Sequence, residues 1–369
     1  MESPRGFILA MRHRVQKKLI LYRLITVVFL FGAIRPVEAI VLHPNHEPDL
    51  AVWTDRPDSN VVGQWSDNAS FVVIAPNWIA TTRHQSTLPS TVTIEGASYT
   101  CHYKAEWLGG PSGNADIRLV RLTASEGANP NLAHYAEPYT QTDEYTDPNG
   151  SGDGRDMRIG GYGRGRESTL KNGPTVYGYT WGTGENNHNN TFRWCTNRIE
   201  DDGSDPDILN DPNTLIGYFD VPGWTIYEGS TAEYDSGGGW FIKDGNDWKL
   251  AGLTAGSTYH PEYEPNWPDD GGSWFRYIAT VRGGDLIYSV RISSYAEWIS
   301  GIIQVSGDLT GDDWVDADDF AKLADQWLCN DCNDLNNFCD GADFEPIDGK
   351  VDWADLGSLA TNWLSGWQY

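Results

Sequence analysis

Short apolar runs separated by turn residues dominate the chain from Asn60 to about Val305. Val61-Val62-Gly63, Phe71-Val72-Val73-Ile74, Trp78-Ile79-Ala80-Thr81 and Thr91-Val92-Thr93-Ile94 are broken by Asp67-Asn68 and Pro76-Asn77, the punctuation of strands joined by tight turns. Ile117-Arg118-Leu119-Val120-Arg121-Leu122 alternates apolar and basic, which predicts a half-buried strand. Many short strands with little helix predict a closed barrel or a sandwich. Two polar stretches, Thr140 to Arg155 and Thr183 to Asn213, predict surface loops that either gate a cleft or are simply solvated. A helical period appears over 293–303, where a serine cap precedes Tyr295, Trp298, Ile299 and Ile302 on one face.

The pattern changes at both ends. After Gln304 the chain turns acidic, with 15 acidic and 2 basic residues from Asp308 onward. It also repeats itself: Asp318-Asp319-Phe320-Ala321-Lys322-Leu323 through Trp327-Leu328 is echoed by Ala354-Asp355-Leu356-Gly357-Ser358-Leu359 through Trp363-Leu364. A boundary is expected at 305–307. At the other end Arg12, Arg14, Lys17, Lys18 and Arg23 precede an apolar run from Leu24 to Ile34, and Val37-Glu38-Ala39 carries small residues at −3 and −1. That predicts a secretory signal over 1–39, cleaved after Ala39; the run is shorter than the ~20 residues a membrane-spanning helix needs. The expected organisation is a signal peptide (1–39), a β domain (40–304) and a small acidic domain (305–369), in a secreted or cell-surface protein with no membrane span.

Charge and cysteine content narrow the partners. Removing residues 1–39 takes away 7 of the 26 Lys and Arg and 2 of the 52 Asp and Glu, leaving a formal charge of −31. Such a surface repels nucleic acid and anionic membranes. All five cysteines, Cys101, Cys195, Cys329, Cys332 and Cys339, lie in the exported part. There some should pair, with one left over. For the last three a zinc site is the rival, but no suitable histidine accompanies them.

Candidate chemistry centres on Glu233-Tyr234-Asp235-Ser236-Gly237-Gly238-Gly239, a serine on a glycine-rich turn. A serine hydroxyl needs an imidazole to take its proton, and the imidazole needs a carboxylate to fix its tautomer. His84 ends the run Ile74-Ala75-Pro76-Asn77-Trp78-Ile79-Ala80-Thr81-Thr82-Arg83-His84, and Asp116 opens Asp116-Ile117-Arg118-Leu119. With these motifs in the order His, Asp, Ser, residues 40–304 resemble a trypsin-like, chymotrypsin-fold serine peptidase. Ile159-Gly160-Gly161-Tyr162-Gly163 and the segment from Ser294 to Ile299 match two further landmarks of that family.

The resemblance implies two six-stranded antiparallel β-barrels with a C-terminal helix, and acyl transfer to protein or peptide substrates. It makes Ser236 the nucleophile, His84 the base and Asp116 its orienting acid, with no catalytic cofactor. The N–H groups of Ser236 and Tyr234 would bind the oxyanion. It further implies an activation pair between a new N-terminus at Ile40 and Asp235, which cleavage after Ala39 would expose. Ser230 maps to the pocket floor, where no acid stands, with Glu228 and Glu233 as other carboxylates able to face it. Thr254, Ala255 and Gly256 map to the substrate-pairing edge. The sequence departs from the family pattern at Tyr234 (Gly in the family), Gln85 (Cys), Gly239 (Pro) and Ala69-Ser70-Phe71, where Gly-Ser or Gly-Gly is common.

In the acidic segment Asp308, Thr310, Asp312, Asp316 and Asp319 stand at positions 1, 3, 5, 9 and 12 of a twelve-residue loop, with the Trp314 carbonyl at position 7, the spacing that wraps Ca²⁺. Asp313 occupies the position 6 usually held by glycine. A second loop runs from Asp343 to Asp355 with Glu345, Asp348, Gly349, Lys350 and Asp352, one residue longer. Paired loops, each followed by one helix, resemble a dockerin type I domain. That resemblance implies two calcium ions, a small α-helical calcium-loop domain, and a cohesin-like or cell-surface partner. A merely acidic solvated tail is the alternative.

Overall fold

The computed structural model describes residues 40–66, 69–85, 87–108, 115–123, 132–148, 150, 154–181, 191–206, 208–258, 274–276, 285–303, 307–310, 314–333, 336–343 and 348–364. The expected signal peptide, Val305 and Ser306 of the expected boundary, Asp312 and Glu345 lie outside these. No helix among the described residues is long and apolar enough to cross a membrane.

The chain is mostly β, with barrel-like sheets and few helices. It enters with β1 (Val41–Leu42), then β2 (Val62–Trp65), β3 (Ala69–Ala75), β4 (Trp78–Thr81), β5 (Thr91–Ile94), β6 (Ala97–Glu106) and β7 (Arg118–Thr123). The last six pair antiparallel in the order β2-β3-β4-β7-β6-β5. Alternation along β3 explains why all seven of its residues are buried. Phe71 and Val73 face a core shared with Trp65, Ile79, Val92, Val120 and Leu122. Val72 and Ile74 face a second core that reaches Trp194, Phe241 and Leu253. A strand covered on both faces carries apolar residues at every position. The edge strands β2 and β5 meet across the first of these cores through Trp65 and Val92.

The expected alternation in β7 needs a correction. Arg118 and Arg121 do not face solvent but are 5% and 1% exposed. Arg118 is enclosed because its guanidinium donates to Glu106 Oε1 (2.7 Å) and to the carbonyls of Gln85 (2.7 Å) and Arg83 (3.2 Å), which satisfies a buried charge.

The second half comprises β8 (Arg155–Gly161), β9 (Arg166–Asn172), β10 (Thr175–Trp181), β11 (Arg193–Ile199), β12 (Thr214–Tyr218), β13 (Gly229–Ser230), β14 (Gly239–Asp244), β15 (Asp247–Thr258), β16 (Trp274–Arg276) and β17 (Leu286–Arg291). Six of these form an antiparallel sheet in the order β11-β8-β14-β15-β17-β12. Its two edges approach each other: Glu200 N–H donates to Ile216 O (2.8 Å) and Ile216 N–H to Asp201 O (3.0 Å). The stretch expected as one loop from Thr183 to Asn213 thus contains β11, buried at Trp194 and Cys195. The other expected loop is not simply solvated, because Glu144 is fully buried against Arg291 (2.7 Å). Ile40, Val41 and Leu42 fill the core of this second sheet beside Ile159, Cys195, Trp240 and Ile287, and β1 pairs with β13.

Helix α1 (Ala296–Ile303) follows a 3-10 turn over Ile292–Tyr295. Tyr295, Trp298, Ile299 and Ile302 pack against the core between the sheets as the period predicts. The expected serine cap is absent: the turn begins at Arg291 with no side-chain cap, and Ser293 Oγ accepts from Arg291 instead (3.2 Å).

Residues 307–364 have a core of their own, built from Val315, Leu323, Cys332, Cys339, Ala342, Val351 and Leu359. Helices α2 (Ala317–Asp325) and α4 (Trp353–Thr361) flank the short α3 (Asn337–Asp340). The sequence repeat is a structural repeat. Asp316 and Asp319 form a capping box on α2, and Asp352 and Asp355 form its counterpart on α4, each satisfying N–H groups a helix start leaves free. The two halves also clasp each other: Leu328 N–H donates to Val351 O (3.0 Å) and Leu364 N–H to Val315 O (2.7 Å). Cys332 pairs with Cys339. Cys101, Cys195 and Cys329 remain thiols, two more than the expected single leftover, because Cys101 and Cys195 sit in the cores of different sheets.

Candidate active site

The register of β4 on β7 brings His84 and Asp116 together. Thr81 pairs with Arg118 at the end of that ladder, so the residues just beyond each strand end meet. Arg83 N–H donates to Asp116 O (3.3 Å) and Arg83 Nε to Ala115 O (3.0 Å). The Asp116 carboxylate then grips His84 twice, with Oδ1 accepting from the main-chain N–H (2.7 Å) and Oδ2 lying 2.6 Å from Nδ1. A carboxylate only accepts, so Nδ1 carries the proton and the lone pair of the neutral ring is on Nε2. That atom meets the Gln85 side-chain nitrogen at 2.9 Å. The expected base is therefore in the tautomer a general base needs, with its lone pair covered by Gln85.

Ser236 sits on two consecutive turns that share Asp235. Asp235 N–H closes the first on Ala232 O (3.2 Å), and Gly238 N–H closes the second on Asp235 O (2.9 Å). The turn is clamped to both sheets: Ser70 N–H donates to Ser236 O (2.8 Å), Gly237 N–H to Thr254 O (2.8 Å) and Thr254 N–H to Gly238 O (2.8 Å). Gly237 has φ +81°, and a Cβ there would stand 2.2 Å from Ser70 O, so only glycine fits. Thr81 Oγ1, three residues before His84, donates to the same Ser70 carbonyl (2.7 Å). The serine and histidine segments thus meet on one strand end. Among the described residues neither the Ser236 amide nor its hydroxyl has a hydrogen-bond partner.

Asp235 is fully buried. Its Oδ1 accepts from Gly163 N–H (2.7 Å) and its Oδ2 from Ala232 N–H (2.8 Å), and the backbone N–H of Ile40 also reaches it. Burial pushes its pKa up to about 7 against the pull of those donors. Gly163 must be glycine because a Cβ would stand 2.4 Å from the Asp235 carboxyl carbon. The sequence-predicted pairs His84–Asp116 and Ile40–Asp235 are therefore both in contact.

The pocket residues are less distinctive. Ser230 is fully buried in the ladder with β1, its hydroxyl donating to Thr231 O (3.4 Å). Glu228 is buried and accepts from Thr225 Oγ1 (2.6 Å), Asp220 N–H (3.1 Å) and Asn197 (3.2 Å); burial raises its pKa well above the usual carboxylate range. Glu233 lies 3.1 Å from Arg164. Along β15, Thr254 accepts from Trp240 Nε1 (3.0 Å), and the ladder is irregular between Thr254 and Gly256, around Ala255. The Tyr288 ring covers Gly256, its hydroxyl 2.5 Å from where a Cβ would be.

No family model and no curated protein matches the chain. A solved structure described as neuropsin, a serine protease expressed in the limbic system of mouse brain, is similar over 66% of this chain and 93% of its own, at 14% identity and a TM-score of 0.39.

Arg164, which packs on Tyr234, carries no local sequence signal of a role, whereas Ser70, which holds the Ser236 turn, lies in the Ala69-Ser70-Phe71 stretch compared with the family motif. Tyr234 has φ +75°, a conformation glycine adopts freely and tyrosine does not.

In the acidic segment, Asp319, Asp343 and Asp355 are buried. Asp319 Oδ1 accepts from Leu309 N–H (2.7 Å) and Thr310 N–H (2.8 Å), and Asp316 N–H donates to Oδ2 (2.8 Å). Asp343 accepts from Asp348 N–H (3.1 Å) and Gly349 N–H (2.9 Å). Among the described residues no group of three or more His, Cys, Asp or Glu gathers closely enough to hold a metal. The described side chains of this segment offer hard oxygen donors, the class a hard cation takes.

Proposed function

We propose that the chain is a secreted serine endopeptidase that cleaves peptide bonds through an acyl-enzyme. The observation that carries this reading is the two-point grip of Asp116 on His84, which fixes the imidazole in the tautomer able to accept a proton. Gln85 turns aside, and His84 Nε2 takes the Ser236 proton as Oγ attacks the substrate carbonyl. The tetrahedral oxyanion is received by the Ser236 and Tyr234 N–H groups. His84 then returns the proton to the leaving amine, and water releases the acyl group by the same steps in reverse. A fluorophosphonate probe tests the reading: covalent labelling of the processed protein that disappears in Ser236→Ala supports it, and no labelling of the processed protein overturns it. The positive φ of Tyr234 and the cover on His84 Nε2 favour a second reading, a weak or inactive protease homologue acting as a binding or scaffold protein.

The contact of Ile40 with Asp235 supports activation by signal cleavage. A folded pKa of about 7 lies above the unfolded value of 3.8. Such a group contributes stability below its unfolded pKa, and that contribution is lost as pH rises through its folded pKa. A free ammonium at Ile40 would compensate the buried charge. A chain beginning at Ile40 is therefore expected to keep its Tm between about pH 5 and pH 7, whereas one retaining Ala39 loses Tm as pH rises across that range and levels off above it. Mass spectrometry should find Ile40 as the mature N-terminus; another first residue defeats the idea.

The acidic segment is proposed as a calcium-dependent, dockerin-like module that tethers the enzyme to a cohesin-like or cell-surface partner. Asp308, Thr310, Asp312, Asp316, Asp319 and the Trp314 carbonyl would hold one ion. Asp343, Glu345, Asp348, Asp352, Asp355 and the Lys350 carbonyl would hold the other. Calcium would supply charge neutralisation to these loops. Chelation is expected to unfold residues 305–369 and leave the β domain intact, followed by circular dichroism and limited proteolysis. Unchanged spectra and unchanged protease resistance under EDTA would count against it.

A further inference from the structure

We propose that Arg164 is a positioning residue for the oxyanion-binding peptide, holding Tyr234 in a conformation that tyrosine resists; the inference rests on the peptidase reading. The first turn at the nucleophile, Ala232 to Asp235, has Tyr234 as its third residue with φ +75°. The second, Asp235 to Gly238, has Gly237 as its third residue with φ +81°. The chain asks for the same left-handed conformation twice and supplies glycine once. A turn with positive φ at its third residue is of type II, and rotating its central peptide by half a turn gives type I, where that φ is negative and any residue is comfortable. Here the central peptide joins Glu233 to Tyr234. The strain at Tyr234 is thus relieved by rotating the peptide whose N–H should receive the oxyanion, and that rotation reverses the N–H.

Arg164 opposes the rotation from three sides. Its main-chain N–H donates to Glu233 O (2.8 Å), the carbonyl of that same peptide, so the Tyr234 N–H is held pointing the opposite way. Its guanidinium lies over the Tyr234 ring, 4.7 Å from the centroid, and Nη2 donates to the Tyr234 hydroxyl (3.1 Å). Its Nε is 3.1 Å from Glu233 Oε2. Arg164 is itself only 6% exposed, and the neighbouring Gly163 N–H is fixed on Asp235. The planar fork of arginine suits simultaneous stacking and hydrogen bonding, and it needs an aromatic hydroxyl beneath it. In this chain tyrosine at 234 supplies the handle by which its own strained backbone is held.

The test is a double-mutant cycle on the processed full-length protein, read by kcat and KM on a peptide substrate and by fluorophosphonate labelling rate. Arg164→Ala is expected to lower kcat about 30-fold with KM changed less than about threefold, since a misdirected oxyanion donor is felt in the transition state. In a Tyr234→Gly background, where no strain needs restraining, the same substitution should change kcat less than about threefold. Amide exchange over residues 232–236 should quicken about tenfold or more in Arg164→Ala. Equal losses in both backgrounds, a change carried by KM, or unaltered exchange would overturn the proposal. If Arg164→Ala does not fold, Arg164→Lys is compared in the same two backgrounds. If no chain labels, the peptidase reading fails, and the exchange measurement alone decides whether Arg164 holds this peptide.

Discussion

Replacing Ser236 by alanine is expected to lower kcat/KM by on the order of 10⁶ and to leave the thermal midpoint unchanged. The two halves of that expectation have separate causes. The turn is held by groups other than the Ser236 side chain: the Ser236 carbonyl on Ser70 N–H, the Gly237 N–H on Thr254 O and the Asp235 carboxylate on Gly163 and Ala232. The Ser236 hydroxyl is half-buried and has no partner among the described residues, so its removal breaks no contact that holds the fold. A side chain that is idle in the folded state and decisive in labelling is a nucleophile. An ordinary surface turn would give the same stability and no difference in labelling, and that outcome would end the peptidase reading.

Asp116→Asn is expected to lower kcat by about 10⁴ in a protein that remains folded. Both groups facing Asp116 are donors, the His84 main-chain N–H and Nδ1–H. A carboxylate accepts both, whereas an amide has one acceptor and one donor end. If its oxygen keeps the main-chain contact, its NH₂ faces Nδ1 and forces the proton onto Nε2, leaving no lone pair for Ser236. His84 and Asp116 are 43% and 34% exposed, so solvent screens the pair and the stability cost is small. A kcat loss below about tenfold would show that Asp116 does not govern the tautomer. Proton NMR of the His84 ring in the variant reads the same point directly.

Both predictions use residues that were legible in the sequence, and the reason is local. His84 and Asp116 each sit just beyond a strand whose apolar pattern fixes its register, and pairing β4 with β7 puts them in contact. Ser236 is announced by the glycines its turns require. β11 was hidden because Trp194-Cys195 is a short apolar run among Asn- and Asp-rich neighbours, and only the sheet it joins makes it a strand. Arg118 and Arg121 read as solvent-facing because sequence cannot show the carbonyls and Glu106 that enclose Arg118. Arg164 was invisible for a related reason: its partners are 69 and 70 positions away. The departure at Tyr234 was plain, but not the side chain that accommodates it.

The reciprocal bonds from Leu328 to Val351 and from Leu364 to Val315 make the acidic segment a lock with two keys. Each half ends its helix by closing on the loop of the other, so neither half is a complete folding unit. On the calcium reading proposed above, an ion lost from one loop would loosen the anchor of the opposite helix, and the second loop would open with the first. The proposed attachment would then switch off over a narrow range of calcium concentration rather than fading in two steps.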